Sequence, residues 1–218
     1  MERTRGKVRK ICYACERTAT TREHVPPVCF FPPGFRENLV TVPSCPIHNN
    51  ANAMDVEYVR NVLVSATNLG PNSKPVFDKL MRSIDRRPAL VASMFPDLRP
   101  IEIRGHETGA FSVDLKRFHR VMSAIAQGIH YRDVGQKRRY WDIFCPSFYM
   151  REALAIGRDD FDPLRRAAAK VNYTYETTPS PSVFCYGRTR PEPRGCVYQF
   201  IFYDAVIVNA WPSNRQFR

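Results

Sequence analysis

Two short pairs of soft donors stand out among the residues that could do chemistry. Cys12-x-x-Cys15 and Cys45-x-x-His48 lie about thirty residues apart and bracket a segment dense in proline, with Pro26, Pro27, Pro32, Pro33 and Pro43 between them. Each tight pair lets two ligands converge on one point, and zinc accepts thiolate and imidazole together in a tetrahedron. The chain has seven cysteines, an odd number, and its first residues, MERTRGKVRK, lead into ICYAC rather than into an apolar stretch. Without a secretion signal, metal is the expectation rather than a disulfide framework. Four protein ligands would fill the coordination sphere, so this zinc would be structural. Cys29, Cys145, Cys185 and Cys196 sit among apolar or aromatic neighbours and read as small core hydrophobes.

Interleaved with the two pairs is a second set. Glu23-His24 lies between them, Asn38 follows, and Asn49 comes directly after His48. In this order the segment from about residue 11 to 65 resembles the HNH nuclease family, also called ββα-metal or His-Me nucleases. The resemblance implies that His24 is the general base, taking a proton from the attacking water, which an imidazole can do near neutral pH. It implies that Glu23 and Asn49 hold one catalytic divalent cation, Mg²⁺ or Mn²⁺, ions suited to hard oxygen ligands. Asn38 would orient the loop that carries the base. Two departures stand beside it: many members have Asp at the position of Glu23, and many have Cys at that of His48. Because His48 and Asn49 are adjacent, a second assignment stays open, in which His48 serves the catalytic cation and the zinc lacks one ligand.

Charge points the same way without specifying chemistry. Lys and Arg total 33 against 21 acids, a net charge of +12, which favours polyanionic partners through counterion release. The run Lys137-Arg138-Arg139-Tyr140-Trp141 mixes cations with aromatic rings and suits phosphate contact or base stacking. The expected activity is phosphodiester hydrolysis in DNA, with RNA left open. The alternative is a non-catalytic, zinc-dependent DNA-binding or interaction protein on the same module. A toxin or anti-phage effector would use the same chemistry in another role. Structural zinc needs none of Glu23, His24, Asn38 and Asn49, so their joint presence favours the enzyme. Cleavage of both strands by paired sites leads to the expectation of a homodimer. No apolar run approaches the roughly 20 residues that cross a bilayer, so no membrane partner is expected and a cytoplasmic location follows.

The elements that must position these residues are predicted as α+β: an N-terminal zinc-stapled ββα-metal module, then a region of helices and antiparallel strands. Residues 1–10 read as a basic arm, 11–70 as the module, and 71–218 as a region for target binding, dimerisation or regulation. Asn38 to Val42 reads as a strand. Val56, Val59, Val62 and Leu63 recur at helical spacing, and that helix should stop by Gly70-Pro71. Asn50 and Asn52 fall on its first turn, where Asn commonly caps. Asp55 and Glu57 read as solvated residues or partners of Arg60. A helix is expected from Pro75 to about Ile84, an irregular link to Pro100, a strand at Ile101–Ile103 and a turn between Gly105 and Gly109, with His106 inside it. Leu115, Phe118, Met122, Ile125 and Ile129 mark the apolar face of a further helix, leaving His119 and His130 as structural histidines. Tyr140–Phe144 reads as a strand, and a helix is expected within Arg151–Val171. Two strands, Ser182–Tyr186 and Cys196–Ala210, would end the chain. The second is so apolar that something must cover it.

Overall fold

The computed structural model describes residues 10–50, 52–66, 70–103, 105–146, 148, 171–190 and 195–214; the helix expected within Arg151–Val171 lies outside them. The architecture is α+β, with antiparallel sheets throughout. Strand β1 (Thr21–His24) pairs antiparallel with β2 (Thr41–Ser44), placing Glu23 opposite Val42 and His24 opposite Thr41. Two helices follow, α1 (Pro46–Asn50) and α2 (Ala53–Ser65). Then come α3 (Lys74–Arg86), α4 (Ala89–Met94), a hairpin of β3 (Arg99–Ile103) and β4 (His106–Ala110), and the long α5 (Leu115–Val134). A five-stranded sheet closes the fold in the order β5-β9-β8-β7-β6, formed by β5 (Trp141–Phe144), β6 (Thr174–Glu176), β7 (Phe184–Arg188), β8 (Tyr198–Phe202) and β9 (Val206–Pro212).

Helix α5 is the centre. Asp114 caps its start, its carboxylate accepting from the backbone N–H groups of Lys116 and Arg117, and Gly135 ends it in the left-handed region at φ 74°. Its buried residues include Val121, Ala126, Gly128 and His130 as well as Phe118, Met122, Ile125 and Ile129. That is wider than the single apolar stripe of the sequence. The helix is covered on two sides, by α2 and β2 on one and by β5 and β9 on the other. Buried residues from Cys12 to Ala210 accordingly form one continuous cluster. The Pro-rich loop is tied to the sheet by a hydrogen bond of 2.7 Å from the buried Tyr203 hydroxyl to the Phe30 carbonyl. The Phe30 and Phe202 rings meet edge to face beside it.

Several local expectations are corrected. The strand predicted over Asn38–Val42 lies instead at Thr41–Ser44. Asn38 sits at φ 53°, in a turn whose left-handed backbone interrupts the strand geometry. The link before Pro100 contains α4, where Ala-Leu-Val-Ala-Ser-Met follows Pro88 at the N-cap. The turn around Gly105 is the tip of a hairpin, and His106 opens its second strand. Cys196–Ala210 is two strands, because Tyr203 and Asp204 adopt φ 53° and 54° and reverse the chain between them. The segment is covered within the chain: Tyr198, Phe200, Phe202, Val206, Val208 and Ala210 are all buried, with His130 of α5 against Tyr198 and Phe30 of the Pro-rich loop against Phe202. It needs no partner to cover it. Among the described residues, no helix is long and apolar enough to cross a membrane.

Candidate metal centre and the clefts beside it

The two half-sites converge. Cys12 and Cys15 lie on a turn held by the Cys12 N–H donating to the Arg17 carbonyl at 2.9 Å and the Ala14 N–H to the Cys12 sulfur at 3.5 Å. Cys45 follows β2, and Pro46, fixed in φ, opens α1 so that His48 turns back over it. The four donor atoms all lie within 4.8 Å of one another. Cys15 Sγ is 3.9 Å from Cys45 Sγ, and His48 Nδ1 is 3.7 Å from Cys12 Sγ and 3.2 Å from Cys45 Sγ. With Zn–S near 2.3 Å and Zn–N near 2.0 Å, a tetrahedron has edges of about 3.8 Å between sulfurs and about 3.5 Å between sulfur and nitrogen. The cluster fits a zinc ion. Hydrogen bonds from the His48 backbone and ring hold the Cys45 thiol down to about 6, so it is available as thiolate at neutral pH. His48 Nδ1 lies among the sulfurs, where the x-x spacing from Cys45 directs it.

Behind this centre the carboxyl of Glu23 is half-buried. Burial raises its pKa, opposed by hydrogen bonds from Tyr13 and Ser44 and by the nearby His48. The Ser44 hydroxyl donates to Glu23 Oε2 at 3.4 Å. Glu23, His24, His48, Asn49 and Asn52 line one open cavity of about 360 Å³, with the α2 residue Arg60 also on its wall. Two separated segments of the sequence thus reach one place: the end of β1 supplies Glu23 and His24, and α1 supplies Asn49.

Asn38 lies outside this cavity, exposed on its left-handed turn. Asn52 occupies the N-cap position of α2 but makes no side-chain cap bond. It lines the cavity instead, so the capping expectation is corrected and Asn52, for which the sequence made a cap the leading expectation, joins the cavity residues. Glu57 does pair with Arg60, at 3.1 Å. Asp55 does not: it accepts from Arg117 at 2.8 Å and Arg120 at 3.0 Å, side chains that α5 alone brings near.

A larger groove of about 690 Å³ lies on the other side of His48 and Asn52, which line both spaces. Its far wall is α5 and the start of β5, including Lys116, Arg120, Gln127 and Arg139. The three cations named as a nucleic-acid contact separate here. Lys137 donates to the Cys15 carbonyl at 2.7 Å and to Glu16 at 2.9 Å, clasping the cysteine turn. Arg138 is half-buried, its carbonyl accepting from the Trp141 indole at 3.2 Å. Arg139 alone lines the groove.

Compared with protein-family models, with curated proteins and with solved structures, the chain matches none.

Proposed function

We propose that the protein is a zinc-stapled, metal-dependent endonuclease of the HNH type that hydrolyses phosphodiesters in DNA. The observation that carries this reading is the meeting of Glu23, His24 and Asn49 in one cavity beside the Cys/His cluster. Structural zinc by itself calls for no carboxylate, imidazole and amide at that place.

Cys12, Cys15, Cys45 and His48 would hold the zinc, which fixes the start of β1 against the start of α1. Glu23 and Asn49 would hold a divalent cation, Mg²⁺ or Mn²⁺, which supplies charge neutralisation on the phosphate and the leaving oxygen. His24 takes a proton from the attacking water as its oxygen bonds to phosphorus and the bond to the 3′-oxygen breaks. Ser44 and Tyr13 hold the Glu23 carboxylate in place through their hydroxyls.

The test is nicking of supercoiled plasmid by purified protein with Mg²⁺, comparing wild type with His24→Ala, zinc content being measured on both. Loss of a general base costs about 10²- to 10⁴-fold, so the variant should retain one zinc per chain and cut at least about 100-fold more slowly. Cleavage unaffected by the substitution would sink the mechanism. A wild-type protein that keeps its zinc and cuts nothing would instead favour a zinc-dependent binding protein.

A further inference from the structure

The groove between the cysteine turn and α5 has a character that the cavity at Glu23 lacks. Its described lining contains no carboxylate, while Lys116, Arg120 and Arg139 all reach it. Arg120 is held by Asp55 at 3.0 Å. Lys116 and Arg139 are exposed and form no ion pair with another described residue. Lys116 and Arg120 stand one helical turn apart, about 6 Å along the axis, a spacing on the scale of neighbouring phosphates of one strand. His48 and Asn52 line both spaces, so the groove adjoins the cavity holding Glu23 and His24.

We propose that this groove is the track for the DNA backbone, and that α5 and the start of β5, not the run Lys137-Arg138-Arg139 as a unit, deliver the strand to the cavity. Lys116 and Arg139 neutralise phosphates there, Arg120 adds a third cation beside its acidic partner, and Lys137 serves the cysteine turn. What happens to the strand beyond Asn52 rests on the nuclease reading; the binding itself does not.

The experiment is fluorescence anisotropy of a labelled 20-base-pair duplex with full-length, zinc-loaded protein and no added Mg²⁺, across a range of salt concentrations. Three proteins are compared: wild type, Lys116→Ala/Arg139→Ala, and Arg82→Ala/Arg86→Ala. The last loses the same charge from exposed positions on α3, a helix whose neighbours are α2 and α4. The groove variant should bind about tenfold or more weakly, and the slope of log K against log salt should shrink by about 2. The α3 variant should change by less than about twofold. Equal losses in the two variants would overturn the proposal, since the net charge alone would then explain binding. Displacement of the duplex by polyglutamate at equal charge would overturn it too, marking a site for acidic protein. The nuclease reading fails separately: DNA bound as expected but never cut leaves the groove standing, and cleavage with unchanged binding in the groove variant does the reverse.

Discussion

His130 shows how far a residue's meaning depends on what surrounds it. It is buried on α5, its Nδ1 3.2 Å from the Tyr198 hydroxyl, its ring edge to face with Trp141 and Tyr198. Burial, helped by the positive charge of Arg138, brings its pKa down to about 4. The unfolded chain, with an ordinary imidazole near 6.5, takes up a proton that the folded protein refuses. Stability from this residue is therefore complete above about pH 6.5 and falls as the pH drops from there toward 4, by an amount on the order of 2–3 kcal/mol. Urea melts of wild type and His130→Phe at pH 7.5, 5.5 and 4.5 should converge as the pH falls. A gap between them that stays constant would show that His130 does not carry this dependence. Groups common to both proteins cancel in the difference. His24 stands in another setting: it lines an open cavity beside a half-buried carboxylate.

At the scale of elements, the contact to watch is between α5 and the residue after His24. A Cβ built on Gly128 would lie 2.7 Å from Val25 Cγ2 and 3.0 Å from Cγ1. Val25 is 3% exposed and branched at Cβ, so it has no flexible end to yield. Gly128→Ala gains up to about 1 kcal/mol of helix propensity, but the overpacking costs about 1–3 kcal/mol. The net change should be destabilising, by about 1–2 kcal/mol. Val25 adjoins His24, so under the proposed mechanism cleavage should fall as well, at temperatures where the variant is still folded. Thermal melts with a parallel nicking assay check both; a variant as stable as wild type would show that the helix and loop can part at no cost. The packing of α5 against this loop also explains why Gly occurs inside a long helix.

For the whole molecule, the decisive fact is the single apolar cluster from Cys12 to Ala210. A zinc staple on a small separate module would melt by itself when the metal is lost. Here Tyr13, Val25 and Val42 belong to the same cluster as the sheet, so the loss should be felt throughout. Cys45→Ser should reduce bound zinc from about one per chain to nearly none and lower stability by at least about 3 kcal/mol. For a chain of this size that is roughly 10 °C in Tm. Calorimetry should show one transition, shifted; two separated transitions, or an unchanged Tm with zinc gone, would contradict a shared core. The internal cover of β8 and β9 also removes the apolar-strand argument for self-association. The expected homodimer then rests only on the proposed cleavage of two strands, and light scattering at micromolar concentration tests it.

Much of the candidate site was legible from spacing. Cys12-x-x-Cys15 and Cys45-x-x-His48 are local pairs whose reach is set by backbone geometry, so their convergence could be read without coordinates. Glu23-His24 and Asn49 were singled out by the resemblance of their order to the HNH nuclease family, not by spacing alone. The main helices followed from apolar periodicity, which short-range sterics impose. Tertiary structure alone decided the rest. Whether Asn52 caps a helix or faces a cavity depends on neighbours distant in sequence. The same holds for Asp55, which meets Arg117 rather than Arg60, and for Lys137, which leaves the basic run to hold Cys15 and Glu16. The reversal at Tyr203-Asp204 was hidden because neither residue is a glycine, and the left-handed backbone there is imposed by the pairing of β8 with β9. Local propensity fixes which pairs can form, but the partner of a long polar side chain is chosen by the fold, since its energy depends on what lies within a few ångströms across the core.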